Sequence, residues 1–73
     1  MKREIVFRAI AEPGDMVQYM YHGKEYHGTV NQVNGVVGRG FAIVKYEIIT
    51  RVGLGTTYHT IVERDILQVI RNH

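Results

Sequence analysis

Short segments in which apolar and polar residues alternate dominate the chain, and this period-two pattern is typical of strands. The pattern predicts strands over residues 16–21, 26–33, 41–50 and 56–62. In the third strand, Lys45 and Glu47 share one face, so the alternate residues Val44, Tyr46 and Ile48 are assigned to the core. The apolar faces together define a predicted core of Val17, Tyr19, Val30, Val44, Tyr46, Ile48, Val62, Leu67 and Val69.

The two ends of the chain fit more than one structure. Residues 2–11 alternate as a strand would, but they also pair apolar residues at helical spacing, and we favour the strand. Residues 61–72 fit either a helical stripe or a tight turn at residues 63–65 followed by a strand over residues 66–71. The expected fold is mainly β, with five or six antiparallel strands and a short 3₁₀ turn.

Glycine and proline mark the turns between these strands. Pro13-Gly14 suits the two central positions of a type II turn, and residues 22–25 form the next turn. Asn34-Gly35 is a strong hairpin signal, but Gly38-Arg39-Gly40 follows it closely, so we expect a bulge or a wider loop across residues 34–40. Residues 51–55 carry two further glycines and predict a second hairpin loop.

The composition supports a small β domain. Val, Ile and Thr contribute 23 of the 73 residues, against two leucines and three alanines, and β-branched residues favour strands. We expect a single domain over residues 1–73, in which residues 1–11 form an extra strand or an arm. A core of this size supplies only a few kcal/mol of net stability, so a homodimer or a bound partner can supply the rest.

The net charge and the hydropathy of the chain limit the partners it can bind and the compartments in which it can act. The net charge is +2 with neutral histidines, well below that of a strongly basic nucleic-acid-binding protein. No apolar run approaches the roughly 20 residues that a membrane span needs. We therefore expect a cytoplasmic protein that does not insert into membranes.

The order of these signals resembles the small SH3-like barrels. The features are Pro13-Gly14-Asp15 with Val17, then Gly28-Thr29-Val30, a long central strand, a glycine hairpin, and a strand ending in the segment Val62-Glu63-Arg64-Asp65-Ile66-Leu67. This combination is similar to KOW and Tudor modules, the polymerase-interacting domain of CarD-type factors, and short SH3-like proteins of bacteria and their phages. The resemblance implies a bent five-strand barrel that serves as an interaction module. The chain lacks tryptophan, so binding of proline-rich peptides is not expected.

The residues offer little for catalysis or for a cofactor. Without cysteine or serine there is no thiol or seryl nucleophile and no thiolate zinc site. The four histidines, His22, His27, His59 and His73, fit exposed turn positions better than a metal site. The glycine loops at residues 38–40 and 53–55 match no nucleotide-binding fingerprint. We predict no enzyme, no metal and no cofactor.

Aromatic and basic residues mark the candidate binding surface. Tyrosines near strand ends can pack a ring while the hydroxyl reaches a ligand, and aromatics beside arginine serve both protein hot spots and base stacking. Exposed valines carried on glycines in the 34–40 loop point to a contact surface. The candidates are Tyr21, Lys24, Tyr26, Val36, Val37, Arg39, Arg51, Tyr58 and His59.

These observations predict a non-enzymatic module that binds a protein, in bacterial or phage-targeted transcription or another nucleic-acid machine. The alternative is direct, weak binding of nucleic acid in the manner of KOW or Tudor modules. The low net charge places protein binding first, because a charge of +2 can neutralise only a few phosphates. Each such contact contributes about −0.9 to the slope of log affinity against log salt concentration, so binding to nucleic acid would be weak at physiological salt.

Overall fold

The computed structural model describes residues 9–71, which form five strands and one 3₁₀ turn and contain no α-helix. The elements are β1 Met16–Tyr21, β2 Lys24–Gly38, β3 Phe41–Val52, β4 Gly55–Val62, the 3₁₀ turn Glu63–Asp65 and β5 Ile66–Ile70. This confirms the predicted mainly β fold. Among residues 9–71 there is thus no helix long and apolar enough to cross a bilayer.

The strands form one antiparallel sheet in the order β4-β3-β2-β1-β5. Consecutive strands pair as a meander from β1 to β4, and the 3₁₀ turn then carries the chain to β1, where β5 pairs. Within the described residues β4 and β5 are the two edges of the sheet and do not pair with each other. The expected closure into a barrel is therefore absent, and the sheet is open.

Local sequence explains the turns. Gly14 has φ +97° and the Asp15 N–H donates to the Glu12 carbonyl at 3.0 Å, as the type II turn at Pro13-Gly14 requires. His22 and Gly23 both have positive φ, which is the conformation of a type I′ hairpin turn between β1 and β2. Gly53 takes a positive φ at the first central position of the two-residue turn between β3 and β4.

The β2–β3 hairpin differs from the prediction. Asn34 and Gly35 lie inside β2, opposite Lys45 and Val44, and the turn consists of residues 39 and 40 alone. The wide loop expected across residues 34–40 is wrong, because Gly40 supplies the positive φ at the turn and pairing continues up to it. The register shift falls earlier, at Asn31, where a bulge changes the pairing between Val30 and Gln32.

A second bulge explains an error in the predicted core. Gln18 pairs with Gln68 while Tyr19 pairs with Ile66, so Leu67 is an extra residue that faces solvent with 54% of its surface exposed. In β4 the buried residues are His59 and Ile61, and Val62 is only half-buried. The apolar character of both Ile61 and Val62 gave no sign of which one faces inward.

The core lies on one face of the sheet, here called the core face. The predicted Val17, Tyr19, Val30, Tyr46 and Ile48 are buried, and the predicted Val44 and Val69 pack against them half-buried. Ala11 is buried at the same cluster, and the Ile10 N–H donates to the Tyr46 hydroxyl at 3.0 Å. Residues 9–11 are thus not a strand, and the rest of the predicted strand over residues 2–11 lies outside the described residues.

Candidate functional site

The structure places the nine predicted binding residues in three separate regions. Tyr21, Lys24, Tyr26 and His59 come together at one end of the core face. Val36, Val37 and Arg39 belong to the far end of the β2–β3 hairpin. Arg51 and Tyr58 lie on the opposite, outer face of the sheet, because the pairs Ile49–Tyr58 and Arg51–Thr56 alternate with the buried pair Ile48–His59.

The first region is a stack of aromatic rings. The Tyr21 ring lies between two imidazoles, with centroids 4.1 Å from His22 and 4.1 Å from His59 and planes nearly parallel to both. Tyr26 meets His59 edge-on at 4.9 Å, and the Lys24 ammonium lies 5.5 Å from the centre of the Tyr26 ring. The type I′ turn creates this stack, since the positive φ of His22 holds its ring beside Tyr21.

A buried hydrogen-bond network supports the stack from below. The Tyr19 hydroxyl contacts the Thr50 hydroxyl and the His59 Nδ1, the latter at 2.7 Å. Burial raises the pKa of Tyr19 above its ordinary value of 10.0, and the hydrogen bond with Thr50 opposes this shift only in part. The network gives hydrogen-bond partners to the Tyr19 and Thr50 hydroxyls and to the His59 Nδ1, and it fixes the orientation of the His59 ring.

The aromatic stack therefore has a structural role that is visible in the fold. Its rings pack mainly on one another, and His59 is 9% exposed. The sequence indicated Tyr21, Tyr26 and His59, but not the contribution of His22. The prediction that the histidines occupy exposed turns is confirmed for His22 and is wrong for His59, which is buried within β4. Alternation along a single strand cannot reveal a ring that a turn residue contributes.

The second region is a two-stranded ribbon formed by residues 34–44. The pairing of β2 with β1 ends at Thr29, and hydrogen bonds with residues 14 and 15 extend it to Val30. The pairing of β3 with β4 ends at Lys45. Beyond these points the two strands of the ribbon have only each other as strand neighbours within the described residues.

The ribbon carries apolar side chains on both faces. The pairs Val36–Ile43 and Gly38–Phe41 lie on one face, where the Phe41 ring packs directly over Gly38. The pairs Val37–Ala42 and Gly35–Val44 lie on the other face. Four of the large side chains are 38–56% exposed, and these are Val36, Val37, Phe41 and Ile43. Arg39, at the turn, is the one charged residue of residues 34–44.

Phe41 and Ile43 were not among the predicted binding residues. Sequence alone assigned residues 41–50 to one strand, with Val44, Tyr46 and Ile48 in the core, and made no prediction for the apolar residues at its start. The signal was present in the almost uninterrupted apolar and glycine composition of residues 35–44, which has no polar face.

A groove lies at the base of the ribbon, where β4 separates from the edge of β3. It has a volume of about 320 Å³, and its walls are residues 42–44 of β3 together with Val62, Glu63 and Arg64. The 3₁₀ turn creates this opening by carrying the chain away from the sheet after Val62. The Val62 N–H donates to the Asp65 carboxylate at 3.3 Å, which stabilises that departure.

The outer face carries a smaller concavity of about 230 Å³, lined by His27, Gly28, Thr29, Ile49 and Arg51. Tyr58 pairs with Ile49 beside it and is 60% exposed. Residues 9–71 contain no group of three or more histidine or acidic side chains placed to hold a metal ion.

Comparisons of the chain with protein-family models, curated proteins and solved structures gave no match. The structure by itself defines the class, a small mainly β protein built on one open, antiparallel five-strand sheet.

Proposed function

We propose that this protein is a non-enzymatic module that binds another protein through the ribbon. The observation that carries this proposal is the exposure of large apolar side chains on both faces of residues 34–44. Strands with apolar residues on both faces are typical of sheets that are covered on both sides. Contiguous exposed apolar surface of this kind marks contact sites for proteins.

The charges favour a protein partner over nucleic acid at this surface. Binding to nucleic acid depends on neutralising several phosphates, and the ribbon offers only Arg39, with Lys45 at its base. Exposed valine, isoleucine and phenylalanine gain nothing from a phosphate backbone, but they match the apolar centre of a protein interface.

The strand order and the 3₁₀ turn before β5 support a relationship to the SH3-like interaction domains, in an open form with an elongated β2–β3 hairpin. A place in bacterial or phage-targeted transcription follows from that resemblance and is part of the proposal.

A capture experiment tests the ribbon. The protein is immobilised, exposed to a bacterial lysate, and the retained proteins are identified by mass spectrometry. Val37→Asp places a charge on the exposed ribbon and should abolish retention of the partner. Val52→Asp is the matched control. Val52 is 52% exposed against 56% for Val37, and it lies at the end of β3 that is far from the ribbon. Retention of the same proteins in equal amounts by the wild type and Val37→Asp would contradict the proposal.

The outer face supports a second candidate function, weak binding of single-stranded nucleic acid. Arg51 and His27 line one concavity, and the exposed Tyr58 ring lies beside it. A base could stack on Tyr58 while Arg51 contacts a phosphate. In fluorescence anisotropy with labelled single-stranded DNA at about 150 mM salt, this function requires binding that Arg51→Glu removes and Val37→Asp does not.

A further inference from the structure

We propose that the partner of the ribbon is a second copy of this chain, with the two ribbons paired edge to edge at the start of β3, centred on Ala42. This inference rests on the proposed function of the ribbon and names its partner. It follows from the backbone at that edge, the symmetry of its side chains and the charges at its ends.

The edge of β3 at residues 41–44 is suited to pairing with a further extended strand. On the side where β4 pairs with Lys45 to Val52, residues 41–44 have no strand neighbour in the described part of the chain. Backbone groups along such an edge are a template for a further strand, and natural edges are usually protected by charge, proline or a bulge. Residues 41–44 contain no charged residue and no proline, and their pairing with β2 is regular.

The side chains of this edge are complementary to themselves. A two-fold axis through Ala42 places the two Ala42 residues opposite each other and runs the two β3 strands antiparallel. The same axis places Phe41 of one copy beside Ile43 of the other, on a common face. These two exposed side chains then cover each other, and the small Ala42 leaves room for the close approach of the strands.

The ends of the paired edges offer one opposite-charge contact. In this register the hairpin turn of one copy reaches the end of β4 in the other, at the groove lined by Val62, Glu63 and Arg64. The turn carries Arg39, and Glu63 and Arg64 are both exposed at that groove. The same register sets Arg39 across from Lys45 of the other copy, so Glu63 is the group there that can attract it. The antiparallel pairing therefore brings Arg39 of each copy toward the Glu63 carboxylate of the other, twice in the symmetric dimer.

Sedimentation velocity and light scattering test the proposal with the purified full chain. The wild type should have twice the chain mass of 8.4 kDa and dissociate on dilution. Arg39→Glu and Glu63→Arg should each weaken the dimer by about tenfold or more, because each places like charges together. The double variant should restore dimerisation. Arg51→Glu, the same charge change on the outer face, should leave the mass unchanged.

Circular dichroism melting of each variant confirms that the chain is folded. Single variants that dissociate the dimer without rescue in the double variant would overturn the Arg39–Glu63 register. If the wild type is monomeric and its capture of another protein depends on Val37, the partner is not a second copy of the chain. The proposed function then stands. If the wild type is monomeric and Val37→Asp retains the same proteins as the wild type, both the inference and the proposed function fail.

Discussion

Burial of the Tyr19 hydroxyl costs free energy that its hydrogen bonds to Thr50 and His59 offset. Tyr19→Phe removes the shared partner of both groups while it keeps the ring. We expect a loss of about 1–3 kcal/mol in the free energy of unfolding, since Thr50 and His59 stay buried without this partner. Urea denaturation measures this loss. Tyr58→Phe, on the exposed outer face, is the control and should change stability by less than about 0.5 kcal/mol.

Tyr19 also sets a pH dependence. Its pKa is higher in the folded protein than the ordinary 10.0, so the folded state holds this proton more tightly than the unfolded state does. The corresponding stability is fully present below pH 10 and is lost as the pH rises from there through the folded pKa. The wild type should therefore lose more stability than Tyr19→Phe between pH 9 and pH 11 in parallel melting curves. Identical losses in the two proteins would contradict the burial effect.

At the scale of the strand, Gly28 allows β2 to pass close to β3 over the core. A Cβ at this position would overlap the Ile49 carbonyl oxygen and lie 2.6 Å from the Thr50 hydroxyl and 2.8 Å from the Ile48 side chain. Gly28→Ala should destabilise the protein by about 1–3 kcal/mol or more, because a backbone atom cannot easily move aside. Gly55→Ala is the matched control, since the nearest atom to its Cβ would be 3.8 Å away. Equal melting temperatures for the two variants would show that β2 and β3 can separate.

The β5 bulge makes a second prediction at this scale. Ile48→Ala should cost about 2–5 kcal/mol, because Ile48 is fully buried. Leu67→Ala should cost far less, since the bulge turns Leu67 toward solvent. Chemical denaturation of both variants checks the register, and a large loss for Leu67→Ala would show that β5 pairs without the bulge.

These elements show what the sequence can and cannot predict. Alternation predicted the strands and the inward face of β1 and β3, because this signal is local. Pro13-Gly14 predicted the first turn, and the turn predicted at residues 22–25 consists of residues 22 and 23. The bulges at Asn31 and Leu67 reverse which residues face inward, and they depend on pairing with a distant strand. The Asn34-Gly35 signal was overridden by the turn at Arg39-Gly40, so the ribbon was predicted as a loop.

Prediction of the candidate site failed for the same reason. The aromatic residues Tyr21, Tyr26 and His59 were recognised by type, but the sequence could not show that they pack on one another at the end of the core face. Val36, Val37 and Arg39 were recognised as exposed, whereas Phe41 and Ile43 were not. Their exposure arises because β1 and β4 end before the β2–β3 hairpin does, and the lengths of neighbouring strands relative to one another are a property of the whole sheet.

At the scale of the whole molecule, the ribbon and the rest of the sheet have separable roles. Val33 and Val44 pack partly against the core, whereas residues 36–43 extend beyond it. Replacing residues 36–43 with Asn-Gly closes a two-residue type I′ turn on the Gly35–Val44 pair and leaves both valines in place. The shortened chain should fold cooperatively and be monomeric. Its melting temperature should lie within about 8 °C of that of the full chain at a concentration where the latter is monomeric, equivalent to roughly 1 kcal/mol in a domain of this size. A chain that no longer folds would show that the ribbon stabilises the core, and a folded dimer would show that association uses another surface.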